Sequence, residues 1–219
     1  MYWQEDSNEE QFIVPEDVVD LAFKIDCPTL PVDHAWALSE AIRNELPWFG
    51  EEAQTGLHIV HGADTGNGWE RPTEADDLLY LSRRTPLMLR LPRHRSHDAH
   101  DLCGKTLDID GHKMKVGDPK QRPLAMTDIL YSRYMVCDPD WSEDDFMAWA
   151  LGELKGMRLK FKKILCGKGF ELKHPDGPIQ TRSLMIANLS YEDAVYLQEE
   201  GLGPHRQMGC GLFIPQKSF

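Results

Sequence analysis

Apolar and polar positions alternate along Val18-Val-Asp-Leu-Ala-Phe-Lys-Ile25, which predicts a strand. After Asp33 the period changes. Ala35, Leu38, Ala41, Ile42 and Leu46 recur at helical spacing, so a helix starts with Asp33 in the N-cap position and ends near Pro47. Leu57-His-Ile-Val-His61 reads as a strand and Gly62 to Pro72 as a loop rich in Gly and Asn. Leu78 to Leu91 carries a strand or a strand pair broken near Pro86. His94 to Leu102 carries a short helix, and Gly111-His-Lys-Met-Lys-Val-Gly117 a closing strand. The second half repeats this order. Ile129 to Val136 is strand-like, and Ser142 caps a helix through Met157 with Phe146, Trp149, Ala150 and Leu154 on one face. Lys162–His174 and Pro178–Leu189 form a hairpin around Pro175-Asp-Gly177. Ser190 caps a helix to Glu200, and Gly209-Cys-Gly-Leu-Phe-Ile-Pro215 is the last strand.

The order β-α-β-β-α-β thus occurs twice, which predicts an α+β chain of two tandem ferredoxin-like (RRM-like) domains. The expected division is an acidic leader at 1–16, an N-terminal domain at 17–122 and a C-terminal domain at 127–219, with the break near Pro119–Met126. Only element order relates the two copies.

Composition is that of a soluble globular protein, 41% hydrophobic and 27% charged over 219 residues. The N-terminal residues are acidic, with neither the basic nor the apolar region of a secretory signal, so a cytoplasmic location is expected and no membrane partner. Five cysteines with no Cys-x-x-Cys pair argue against a disulfide framework or a structural zinc site. The net charge of −12 argues against nucleic-acid binding when taken whole, but sign is segregated along the chain. Residues 1–78 hold 3 basic and 18 acidic side chains. Residues 155–173 hold seven basic ones, Lys155, Arg158, Lys160, Lys162, Lys163, Lys168 and Lys173, and the single acid Glu171. Such a strip can bind phosphates while an acidic face points elsewhere, or it can be a solvated helix end and hairpin.

The sharpest motif is Gly201-Leu-Gly-Pro-His-Arg-Gln-Met-Gly-Cys-Gly211, two Gly-x-Gly pairs between a helix and the terminal strand. Such a loop can aim backbone N–H groups at a phosphate, with Arg206 adding a charged donor, or it can be a Gly-rich turn. It is neither a Walker loop nor a dinucleotide-binding fingerprint, since no Gly-Lys-Ser/Thr follows and no strand precedes it.

A tandem Gly-hydrophobic-Gly loop before the last strand of a double ferredoxin-like chain resembles the CRISPR repeat-processing endoribonucleases, the Cas-six family. Leu30-Pro-Val-Asp-His-Ala35, His61-Gly-Ala63 with Gly66-Asn-Gly-Trp69, Leu165-Cys-Gly167, Thr181-Arg-Ser-Leu184 and Gly209–Pro215 are similar to the branch first named for a myxobacterial subtype. The resemblance spans most of residues 12–219. It implies metal-independent cleavage of precursor CRISPR RNA at the repeat, leaving a 2′,3′-cyclic phosphate and a 5′-hydroxyl. It implies no cofactor and no metal, a repeat stem-loop as partner, other effector-complex subunits as further candidate partners, and a monomer or weak dimer. It also implies that the hairpin of residues 162–183, flanked by Arg158 and Arg182, enters the groove of the repeat stem.

Metal-free RNA cleavage needs a base near the 2′-hydroxyl, an acid near the leaving 5′-oxygen and positive charge beside the phosphate. Nine histidines are available. His34 is the expected base. It lies on the first turn of the first helix, where the family usually carries its catalytic histidine and where the helix dipole attracts phosphate and disfavours imidazolium. His58 and His61 face opposite sides of a strand, so one packs and the other reaches the site. His61, Lys168 and Arg206 are candidate acids. His94, His97 and His100 read as a solvated helix face rather than a metal stripe, and His112 and His174 as exposed turn residues. The RNA-binding set is Arg158, Lys162, Lys163, Lys168, Lys173, Arg182, Gly201, Gly203, His205, Arg206, Gly209 and Gly211. Tyr131 and Tyr134 are either base platforms or core, and Trp69 either a loop anchor or a base platform.

Three functions compete on this reading. The first is a repeat endoribonuclease, the second a catalytically inactive repeat-RNA-binding subunit of an effector complex. The third is a protein-interaction module docking a basic partner on the acidic first domain.

Overall fold

The computed structural model describes residues 12–62, 72 and 77–216. Two antiparallel sheets organise the chain. The first contains β1 (Val18–Asp26), β3 (Gly56–His58), β5 (Pro86–Pro92), β6 (Thr106–Ile109) and β7 (His112–Arg122) in the order β3-β5-β1-β7-β6. The second contains β8 (Ile129–Val136), β9 (Lys163–Leu172), β10 (Ile179–Ala187) and β11 (Ile214–Pro215) in the order β11-β8-β10-β9. With the edge strand β6 set aside, each sheet runs fourth, first, third, second strand within its own unit, so the fold is the tandem ferredoxin-like arrangement that the element order predicts. A ribbon of β2 (Thr29–Pro31) and β4 (Leu78–Tyr80) stands apart from both. The helices are α1 (Ala35–Glu45), α2 (Glu143–Gly156) and α3 (Tyr191–Glu200).

Helix α1 presents Leu38, Ile42 and Leu46 to Leu21, Phe23, Leu87, Leu89 and Leu91 of the first sheet. The second core joins Phe146, Ala150 and Leu154 of α2 to Leu130, Leu184, Ile186 and Phe213. Each fully buried aliphatic side chain contributes about 1.5–3 kcal/mol. Val18 through Phe23 are all buried, because β1 has a core on one face and packs against the second unit on the other. Ser142 closes α2 with a capping box to Asp145, and Ser190 caps α3 through the Asp193 amide.

Several expectations are corrected. The N-cap of α1 is His34, not Asp33. The helix expected over His94–Leu102 is two short 3-10 segments, Arg93–Arg95 and Asp98–Leu102, which carry only Ala99 and Leu102 as buried anchors. The strand β6 is additional. Its turn to β7 is Asp110-Gly111, with φ of 49° and 86°, the strongest short hairpin signal a sequence offers. The last strand has only two residues, since residues 209–213 belong to the glycine loop and its packing. Within the acidic leader, Phe12 and Val14 pack on Val18, Leu124 and Val195. Trp69, Ala63 and Gly66 to Gly68 lie outside the described residues.

Candidate functional site

The ribbon β2–β4 delivers the chain to the mouth of α1. His34 is 1% exposed, and its Nδ1 lies 2.8 Å from the Pro31 carbonyl oxygen at the end of β2. That carbonyl only accepts, so Nδ1 carries a proton. No side-chain hydrogen bond caps the helix. The Asp33 carboxylate reaches across to the second unit, where Oδ2 accepts from the Lys173 amide at 2.8 Å. This bond fastens the end of β9 to the start of α1.

A mixed cluster fills the seam: Ala35 from α1, Tyr134 from β8, Leu172 from β9, and Met208 and Cys210 from the glycine loop, with Trp36, Ile59 and Phe170 against it. The helix mouth and the distant glycine loop therefore meet. Trp36 packs edge-on against His174, with ring centroids 4.5 Å apart, and His174 lies 5.6 Å from His205 of the loop. His174, expected as an exposed turn residue, is only 12% exposed in its side chain because Trp36 and the loop enclose it. His112 is half-buried as well, with Nδ1 3.0 Å from Thr29 Oγ1.

Four amides of the glycine loop bond back to loop carbonyls, and a fifth reaches β8. Leu202 N–H donates to Gly211 O, Gly211 N–H to Tyr134 O, Gly209 N–H to Arg206 O, and Cys210 and Met208 N–H to His205 O. A Cβ on Gly211, whose φ is +63°, would stand 1.9 Å from Leu202 O, and one on Gly209 would stand 2.5 Å from an Ile59 side-chain carbon. These glycines permit close backbone approach at the seam. Gly201, Gly209 and Gly211 are buried with their amides occupied, so the phosphate cradle expected of them is not formed, whereas Gly203 is exposed. Arg206, expected to point its charge outward, turns inward because Leu212, Gly56 and Gly201 leave it an interior slot. Its Nε donates to Thr55 O at 3.2 Å, and Nη1 and Nη2 are buried with no hydrogen-bond partner among the described residues. Burial and nearby Arg90 pull its pKa down to about 10.

His58 packs. Its Nε2 lies 3.1 Å from Asp20, which Arg90 holds from the other side in a bidentate pair at 2.8 and 2.9 Å. His58 and His61 nevertheless both line a cleft of about 230 Å³ with Arg84, Arg133 and Gly209, because β3 ends at His58 and the alternation expected of the pair does not reach His61. Lys168 sits in the exposed middle of β9, five residues from Lys173 and so about 16 Å along the strand from the helix mouth, too far to serve as an acid beside His34. The cationic strip stands on the surface, with Arg158, Lys162, Lys163, Lys168 and Lys173 exposed and Arg182 half-buried. Tyr134 is core at 2% exposure, while Tyr131 is half-buried with the Arg133 guanidinium 5.7 Å from its ring centroid. His94, His97 and His100 are exposed. Among the described residues no group of three or more His, Cys, Asp or Glu side chains is arranged to hold a metal ion, and no helix is long and apolar enough to cross a membrane.

A family model described as "Cas6 Crispr" matches residues 19–218. The chain is 28% identical over 197 residues to the CRISPR-associated endonuclease Cas6 of Myxococcus xanthus (strain DK1622), covering 90% of this chain and 81% of that protein. Among solved structures it resembles a CRISPR-associated protein Cas6 with a TM-score of 0.63 at 10% identity, covering 91% of this chain and all of that one. It also resembles a CRISPR endoribonuclease Cse3 bound to a 19-nucleotide RNA, with a TM-score of 0.52 at 10% identity and coverage of 90% and 96%.

Proposed function

Since the chain belongs to the Cas6 CRISPR family, we propose that it is an endoribonuclease that binds the stem-loop of a CRISPR repeat in the cytoplasm and cuts precursor CRISPR RNA into guide RNA without a metal ion. The 2′-hydroxyl attacks the adjacent phosphorus, the P–O5′ bond breaks, and the products are a 2′,3′-cyclic phosphate and a 5′-hydroxyl. The observation that carries this reading is the meeting of three elements from distant parts of the chain, the mouth of α1 with His34, the end of β9 and the glycine loop. Their junction brings imidazoles, helix amides and an adjoining basic hairpin to one seam, the inventory that in-line attack requires.

His34 is the base of this scheme. Its Nδ1–H is held by Pro31 O, and in this scheme the proton of the 2′-hydroxyl passes to Nε2. Because the ring is buried, the scissile nucleotide has to be drawn into the seam between α1 and the glycine loop. That same burial favours a second reading, in which the protein holds a repeat hairpin in an effector complex without cutting it.

One experiment separates the two. Repeat hairpin RNA is incubated with the protein in excess chelator and the new ends are mapped. Cyclic-phosphate ends, abolished by a 2′-deoxy substitution at the scissile nucleotide and by His34→Ala with RNA binding retained, are the expected result. Tight binding with intact RNA supports the non-cleaving subunit.

A further inference from the structure

Two of the three candidate acids, Lys168 and Arg206, are not placed to serve the base proposed above, and the third, His61, lines the neighbouring cleft. Lys168 is too distant along β9, and the Arg206 guanidinium is turned into the interior. The seam offers another pair. His174 is fixed on two sides: its ring stands edge-on to Trp36 at 4.5 Å, and its Nδ1 accepts from the Asp176 amide at 3.2 Å. With Nδ1 accepting, the His174 proton is on Nε2. His205 follows at 5.6 Å between ring centroids and is half-buried.

The backbone at His205 is unusual. Its φ is +64°, a left-handed conformation that a non-glycine residue adopts at a cost of about 1 kcal/mol or more. Its carbonyl accepts from both Met208 and Cys210 amides, so the loop enforces this conformation. The neighbouring positions that need positive φ, 203 and 209, are glycines. A glycine or asparagine would meet the same backbone demand at position 205 with less strain, yet an imidazole stands there, aimed at the seam beside a second imidazole.

We infer that His205 is the general acid of the cleavage, donating its proton to the departing O5′, and that His174 is the positioning residue that orients its ring. The inference rests on the endoribonuclease reading. In the step, the 2′-oxygen forms a bond to phosphorus as the P–O5′ bond breaks. The 2′-hydroxyl proton passes to His34 Nε2, and the His205 proton passes to O5′, which leaves as the 5′-hydroxyl. Burial, with the His174 ring adding to it, holds His205 below the ordinary histidine value, which makes its charged form a stronger acid. A phosphate anion arriving beside the ring works in the opposite sense and favours that charged form.

The test uses the full chain and two repeat hairpins, one with the natural scissile linkage and one with sulfur replacing O5′ there. A thiolate leaves without a proton, so loss of an acid is rescued by sulfur and loss of a base is not. His205→Asn is the variant, because asparagine tolerates the left-handed backbone and keeps the loop folded. At saturating protein the natural linkage is expected to be cut about 100-fold or more slowly and the sulfur linkage near the wild-type rate. His174→Phe, which keeps a ring against Trp36, loses rate on the natural linkage and is rescued in the same sense. Wild-type rates for His205→Asn on both linkages, or equal losses on both, overturn the assignment. Failure of the wild-type protein to cut either hairpin overturns the endoribonuclease reading itself.

Discussion

Arg90 and Arg206 are two interior guanidiniums with opposite balances. Arg90 is 1% exposed, and each nitrogen is used: Nε and Nη2 on Asp20, Nη1 on the Gln198 and Phe213 carbonyls of the second unit. Removing it strands the Asp20 carboxylate, so Arg90→Met is expected to cost about 3–5 kcal/mol in urea unfolding. Arg206→Met removes a poorly compensated buried charge and is expected to be neutral or stabilising in the same assay. The Asp20 site also sets the acid response. Burial alone would raise the Asp20 carboxyl, but Arg90 and His58 outweigh it and hold it far below the ordinary carboxylate range. Burial lowers His58 despite the nearby carboxylate. An unfolded chain protonates the histidine near about pH 6.5 and the aspartate near about pH 4, before the folded chain accepts either proton. Stability falls wherever the unfolded state binds more protons as pH drops. The urea midpoint is therefore expected to be level between about pH 7 and 8 and to decline below about 6.5 and again below about 4. His58→Gln should shrink the first decline, to which His205 also contributes, and spare the second.

At the scale of elements, the site depends on two joints. One is the bond from the Lys173 amide to Asp33, which ties β9 to α1. Asp33→Ala is expected to lower stability by about 1.5–3 kcal/mol, the range for a hydrogen bond to a charged group, and to slow repeat cleavage by loosening the seam. Unchanged cleavage would show that the joint holds nothing the chemistry needs. The other joint is the glycine loop. Gly211→Ala combines positive φ with a 1.9 Å approach to Leu202 O, so about 2–4 kcal/mol of destabilisation is expected by thermal melting.

Across the whole molecule, charge is divided rather than averaged. The first third of the chain is strongly acidic, and the exposed cations gather along 155–173 of the second unit. RNA is expected to be held through that strip, with an affinity that falls as salt rises by about 0.9 log units per phosphate contact and log unit of salt on duplex RNA. Replacing Lys162, Lys163 and Lys168 together by alanine should reduce the salt slope by about 3. A slope unchanged in that variant would move the RNA to another face.

The periodicities of 2 and 3.6 were enough to read β1, α1, the capped helices α2 and α3, the β9–β10 hairpin and the doubled β-α-β-β-α-β order, because these are local in sequence. The Asp110-Gly111 dipeptide is an equally local signal for the β6–β7 hairpin, where the apolar pattern alone predicts a single strand. The choice of His34 also follows from local position, at the first turn of an amphipathic helix. Long-range packing alone decided that His34 is buried, that Arg206 turns inward, that Gly211 bonds to Tyr134 across the seam, and that His174 and His205, 31 positions apart, come to face each other. Such pairings depend on which surfaces the two units press together. A pattern of neighbours along a chain carries no record of that contact.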